Sequence, residues 1–337
     1  MLQDPPVLSS RDEITRLIGF AKKAQIRTLF VQIYRANQAW FRSKVADSHP
    51  YEACLKSVSE DPFQLLIQQA HVSGIKVHAW LNMLSLSKNE EAPLLKKYGT
   101  EILTKNLKPK KSIGDYRIDD QYFLEPGDLR VREELANMVE EILRGYPDLD
   151  GIQFDYIRYP DKNPAYGYTK MNMDRFKKAS GRQAIEDGSL IWNDWKRAQV
   201  TGFLQALVNK TRSIRPGIQI STTGCVPYSR AYHEAFQDWP SWLRSGLVDF
   251  VTLMCYIPTV PEFERYLDDA KIQAGDFFVK VNLAVGAYEM LDKPGTFAEQ
   301  FRLCEDSGGG ACVVFHYGSL LQNPALTEPL NARTANP

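Results

Sequence analysis

The chain has 337 residues, 44% of them hydrophobic and 24% charged, enough to bury a large core and too apolar for a disordered chain. Its 41 Lys and Arg balance 41 Asp and Glu, so no long-range field favours nucleic acid or an anionic membrane. The longest apolar runs are strand-sized, which excludes a transmembrane helix, and the opening MLQDPPVLSSRDE lacks the basic-then-apolar pattern of a signal peptide. A cytoplasmic protein, or one whose export signal is absent from this sequence, is expected.

Ser10 and Glu13 stand at capping-box spacing ahead of apolar Ile14, Leu17 and Ile18, which predicts a helix leading into the strand IRTLFVQI. Asp61 and Pro62 open a second helix, PFQLLIQQAHVS; Gly74 closes it, and the strand IKVHAWL follows. Next come the strand YFLEPGD, the long helix DLRVREELANMVEEILRGY and the strand LDGIQFDYI. The second half alternates helix WNDWKRAQVTGFLQALVNKTRS, strand IQISTTG, helix HEAFQDWPSWLRSG, strand LVDFVTLMCY, helix PEFERYLDDAKI, strand FFVKVNLAVG, helix TFAEQFRLCEDSG and strand ACVVFHY.

Eight strands alternating with helices predict an α/β protein with a parallel sheet closed as a (β/α)8 TIM barrel. A Gly-rich dinucleotide fingerprint is missing after the first strand. Without a linker or low-complexity tract, a single domain over 1–337 is expected, with a core of about 11–317 and a C-terminal tail, 318–337. The long segments Tyr34–Asp61 and Asn82–Gln121 follow strands and read as loops on the catalytic face. Cys54, Cys225, Cys255, Cys304 and Cys312 lack metal-ligand spacing and read as buried free thiols.

Chemistry in such barrels sits at the carboxyl ends of the strands. The polar and aromatic residues expected there include Gln32 and Tyr34, His78, Trp80 and Asn82, Glu125, Gln153, Asp155 and Arg158, Thr223, Tyr256, Asn282, Tyr288 and Glu289, and His316 and Tyr317. Period-two alternation puts Gly151, Gln153 and Asp155 on the inner face of their strand and Ile152, Phe154 and Tyr156 on the outer one. Asp155 among aromatic side chains suits glycoside hydrolysis, because sugar rings stack on aromatics and an oxocarbenium-like transition state needs an acid and an anion. Glu125 and Glu289 are the candidate partner carboxylates. His78, Trp80, Asn82, Gln153, Arg158, Tyr256, Asn282, Tyr288, Glu289, His316 and Tyr317 are candidate substrate-binding residues, with Arg158 suited to an acidic sugar or to holding Asp155 ionised. No histidine lies at ligand spacing from a second one, so neither metal nor cofactor is expected.

Five motifs, VHAWLNM, FLEPGDLRVREEL, LDGIQFDYIRYP, QDWPSWLRSGLVDFVTLMCY and VNLAVGAY, together resemble the glycosyl-hydrolase-like family ten. The resemblance runs from about Arg11 to Tyr317 and implies a (β/α)8 hydrolase of bacterial envelope glycans, including peptidoglycan strands stripped of peptides. By it, Asp155 matches the family's strand-four aspartate, and Glu125 stands where the family's Leu-Asp-Pro-Gly motif carries aspartate. Tyr156 replaces a further acidic residue found in many relatives. The stretch also invites comparison with family 18 chitinases, but Ile157 stands where their acid glutamate would be.

The resulting expectation is a hydrolase of a bacterial polysaccharide with Asp155 and Glu125 as its catalytic groups. The rival readings are a non-catalytic glycan-binding barrel and, for a site with clustered His and Asp ligands, a metal-dependent deacetylase. A polysaccharide is the partner implied, without nucleic acid or a membrane-spanning segment, and an envelope glycan implies a periplasmic or extracellular place.

Overall fold

The computed structural model describes residues 1–2, 5–161 and 164–332. Its strands are β1 (Thr28–Arg35), β2 (Gln38–Ala39), β3 (Lys76–Asn82), β4 (Ser85–Ser87), β5 (Tyr122–Phe123), β6 (Gly151–Asp155), β7 (Gln219–Gly224), β8 (Phe250–Cys255), β9 (Val281–Gly286) and β10 (Cys312–Phe315). An eight-stranded curled sheet runs in the order β10, β9, β8, β7, β6, β3, β1, β2. All its pairings are parallel except that of β2, which doubles back on β1. Helices connect each parallel strand to the next, the crossover that parallel pairing requires.

The sheet closes through the first two residues. Leu2 bridges Val31 of β1 in parallel, its amide donating to Phe30 O and its carbonyl accepting from Gln32 N. On the other side, Met1 donates to Val314 O of β10 and accepts from Tyr317 N.

This closure corrects one expectation. Of the predicted strand YFLEPGD only Tyr122–Phe123 is a strand, and it pairs antiparallel with β4 outside the barrel. The segment after β3 satisfies its backbone within itself: Leu124 N donates to Leu84 O, Thr104 N to Phe123 O and Glu125 N to Ile102 O. β3 is thereby left to pair directly with β6.

Local chemistry sets the helix ends. Asp61 accepts from Phe63 N and Gln64 N ahead of helix Pro62–Val72, and Asp128 accepts from Arg130 N and Val131 N ahead of helix Leu129–Gly145. HEAFQDWPSWLRSG does not form one helix. Its first residue ends a short helix, Tyr228–His233, and Trp239–Arg244 forms another, started by the Asp238 side chain on Ser241 N, with Pro240 in its first turn.

Outward strand residues such as Ile33, Leu81, Phe154, Leu253 and Val285 join the main core under the helices. Inward Phe30, Trp80, Ala284, Val313 and Phe315 form a separate cluster inside the barrel. After β10 the chain continues as helices Tyr317–Gln322 and Glu328–Ala332, with Leu320, Leu326 and Leu330 buried.

The cysteines divide. Cys54, Cys225 and Cys255 are buried free thiols, whereas Cys304 and Cys312 are joined by a disulfide across 5.9 Å between Cα atoms. The bond ties the end of helix Pro294–Glu305 to the start of β10, a proximity made by packing that the sequence spacing does not advertise. Among the described residues no helix is long and apolar enough to cross a membrane.

Candidate active site

The pairing register stacks the inner residues of β3 and β6 in layers, His78 beside Gly151, Trp80 beside Gln153 and Asn82 beside Asp155. The lowest layer is a packed floor. The His78 imidazole lies 5.1 Å from the Phe30 ring and 5.9 Å from the Phe250 ring between centroids. A Cβ on Gly151 would sit 2.3 Å from His78 Cε1, so only glycine lets the imidazole lie there. Burial pushes the His78 imidazole down to about 4, keeping it neutral.

Above the floor the interior turns polar. Gln153 Oε1 accepts from Thr252 Oγ1 at 3.0 Å, and Gln32 Nε2 donates to Asn82 Oδ1 at 3.1 Å. Asp155 caps this column at the carboxyl end of β6 and is 4% exposed.

Three donors hold its carboxylate. Trp80 Nε1 donates to Oδ2 at 2.9 Å, while Thr223 Oγ1 at 2.5 Å and Tyr156 N at 2.7 Å donate to Oδ1. The strand ends here, as Tyr156 takes φ of +56°, a left-handed conformation unusual for a bulky residue. Tyr156 lies just past the strand and packs, as Ile152 and Phe154 do, with the main core outside the barrel interior. Its ring faces Phe123 and lies 4.7 Å below the Arg158 guanidinium.

An aromatic wall stands beside the carboxylate. Phe315 lies 5.9 Å from Trp80 and stacks on Tyr256 at 4.5 Å, and Tyr288 meets both Tyr256 and Phe315 at 5.7 Å. His316 stacks on Tyr288 at 6.4 Å. Burial, with the charge of Asp155 next, pushes the Tyr256 phenol well up. Burial and a hydrogen bond with Glu289 push the Tyr288 phenol up to about 12. Tyr288 is the exposed member of the wall, at 37%, and brings Glu289 to its rim.

The candidate residues thus separate. Asp155, Trp80, Asn82, Tyr256, Tyr288, Glu289 and His316 gather at the mouth, with Gln153 beneath and Arg158 beside. His78 belongs to the floor. Asn282, the second residue of β9, lies at the opposite end of the barrel, where its Oδ1 accepts from Ala311 N. Tyr317 turns outward onto Phe20 of helix Arg11–Lys23.

Glu125 stands apart as well. It is fully buried, its Oε1 accepts from Tyr159 Oη at 2.5 Å and Gly127 N at 3.1 Å, and it shares no hydrogen-bond partner with Asp155 among the described residues. Burial raises its carboxyl above the usual range. A cavity of about 780 Å³ lies elsewhere, among Phe20, Arg27, Thr28, Leu29 and Cys312 at the amino ends of β1 and β10.

Residues 4–292 match the family described as glycosyl hydrolase-like 10. The chain belongs to that family. Glycosyl hydrolase DigH of Escherichia coli is 23% identical over 289 residues, covering 79% of this chain and 61% of DigH. Glycosyl hydrolase YngK of Bacillus subtilis is 20% identical over 272 residues, covering 74% and 50%. This family member therefore spans between half and two thirds of those relatives' length.

Among solved structures, an inactive double mutant of MUTB superposes with a TM-score of 0.59 at 12% identity, covering 93% of this chain and 62% of that one. An α-amylase from Geobacillus thermoleovorans complexed with acarbose gives 0.52 at 11%, covering 98% and 73%. At such identities the likeness is one of fold, the TIM barrel of glycosidases.

Thr223 and Phe315 complete the mouth. Thr223 is readable as a polar strand-end residue, but nothing in the sequence marks it as the partner of Asp155. Phe315 is hidden within an apolar strand.

Proposed function

We propose that this chain is a glycoside hydrolase of a bacterial polysaccharide, peptidoglycan glycan strands or another envelope glycan, with Asp155 as its central catalytic group. The observation that carries this reading is the Asp155 carboxylate pinned by Trp80, Thr223 and the Tyr156 amide beside an aromatic wall. A carboxylate fixed by its neighbours stabilises developing positive charge without first reorganising, and the rings of Trp80, Tyr256 and Tyr288 suit a sugar face.

Glu289 is the better partner carboxylate. It reaches the rim through Tyr288, whereas Glu125 is sealed among Tyr159, Gly127 and Thr104 and serves to anchor the insertion after β3. Substrate binding falls to Trp80, Asn82, Tyr256, Tyr288 and His316. The Cys304–Cys312 disulfide suits an oxidising compartment outside the cytoplasm, where an envelope glycan is met.

The test is release of reducing ends from peptide-free peptidoglycan strands. Asp155→Asn is expected to lower kcat about a thousandfold or more while retaining the glycan in co-sedimentation, and Glu289→Gln about a hundredfold, within the range of acid–base catalysis. Glu125→Gln is expected to change stability more than kcat. The sealing of Glu125 away from the mouth, which removes one of the two candidate partner carboxylates, favours one other reading, a glycan-binding barrel without catalysis. Binding by wild type and Asp155→Asn without cleavage by either would establish it.

A further inference from the structure

The segments that leave β6 and β7 at the mouth bring two guanidinium groups to one carboxylate. Arg158 Nη1 donates to Asp161 Oδ1 at 2.8 Å, and Arg230, on helix Tyr228–His233 after β7, forms an ion pair with Asp161 Oδ2. Arg158 is recessed, its side chain 11% exposed, while Arg230 stands at the rim with 35%.

Asp161 satisfies only part of this pair. The Nε of Arg158 and the Nε of Arg230 are both buried without a hydrogen-bond partner among the described residues. Beyond Asp161, the two groups make long bonds to carbonyls, at 3.4 Å from Arg158 to Tyr159 O and from Arg230 to Val226 O. Glu234 acts on Arg230 electrostatically but forms no ion pair with it among the described residues. Two guanidinium groups sharing one carboxylate leave a net positive charge at the rim, which a second anion balances through the more exposed Arg230.

The pair also lies beside the reacting group. Cys225, the residue after β7, is a buried thiol that feels the charges of both Arg158 and Asp155. The Tyr156 ring under Arg158 belongs to the residue whose amide holds Asp155, which places the guanidinium close to that carboxylate. A planar guanidinium fork fits a carboxylate better than it fits a neutral hydroxyl.

We propose that Arg158 and Arg230 form an anionic subsite next to Asp155 that binds the carboxylate of an acidic sugar, of the uronate or lactyl-ether kind, in the substrate glycan. The inference rests on the hydrolase reading for its position along the substrate. It makes this site selective for acidic glycans, with the carboxylate fixing which sugar sits over Asp155.

The experiment compares peptide-free peptidoglycan with the same strands after their carboxylates have been reduced to alcohols. Wild type is expected to show a KM about tenfold or more lower on the acidic strands, the scale of a hydrogen bond to a charged group, and to lose that preference as salt rises. In Arg230→Gln the ratio of the two KM values is expected to fall to about 1, with Arg158→Lys intermediate and thermal midpoints reporting whether each variant is folded. Equal KM values for wild type on both glycans would overturn the subsite and leave the hydrolase reading standing. If wild type cleaves neither glycan, the hydrolase reading fails, and co-sedimentation decides the subsite separately. Retention of the acidic strands over the reduced ones would support it, and equal retention would reject it.

Discussion

At the scale of single residues, depth along a strand decides the role of a side chain. His78 and Trp80 are two residues apart on the same inward face, yet one packs the floor and the other donates to Asp155. Burial holds the His78 imidazole down to about 4, below its ordinary value of 6.5. The unfolded chain therefore takes the proton first, so the stability that neutral His78 contributes is complete above about 6.5 and is lost as pH falls toward 4. Urea midpoints measured between pH 7 and 5 are expected to drop more steeply for wild type than for His78→Gln, and parallel slopes would refute the assignment. Asp155 was legible because a carboxylate at the end of an apolar strand loses hydration on folding, a cost that a fold tolerates where donors or chemistry await the group. Asn282 and Tyr317 misled because polarity gives no register: one sits at the wrong end of its strand, and the other lies just past its strand, facing outward.

At the scale of elements, the helix starts at Ser10 and Asp61 and the apolar strands were legible, since each depends on neighbours in sequence. What the sequence hid depends on partners far away. Tyr122–Phe123 has strand composition but finds its mate in β4, because the insertion satisfies its backbone within itself rather than on the barrel. The Cys304–Cys312 bond is hidden likewise, as it exists only where helix Pro294–Glu305 lands on β10. Its loop is short, with a sequence separation of 8, so chain-entropy arguments give it about 2–3 kcal/mol. Replacing both cysteines with serine is expected to lower the denaturant midpoint accordingly while leaving glycan binding intact. An unchanged midpoint would mean that packing alone fixes the helix on β10.

For the whole molecule, the barrel expected from eight alternating units is present, though with a different membership: β3 pairs directly with β6 where the segment around Tyr122 was expected, and Met1–Leu2 joins the ring elsewhere, between β10 and β1. That seam is the thinnest part of the wall, closed by backbone bonds of two residues where β7 and β8 pair over four. The amides of Gln32 and Tyr317, which bond to Leu2 O and Met1 O, are expected to exchange with solvent faster than those of β7 and β8. Comparable protection would show the seam to be as firm as the rest.

The clamp on Asp155 also joins distant parts of the chain, because Trp80 stands 75 residues before it and Thr223 68 residues after. A nascent polypeptide that has just exposed Asp155 to solvent carries the aspartate without its threonine. Such a chain holds the carboxylate only loosely through much of its synthesis, and the clamp is set when β7 has emerged and paired with β6.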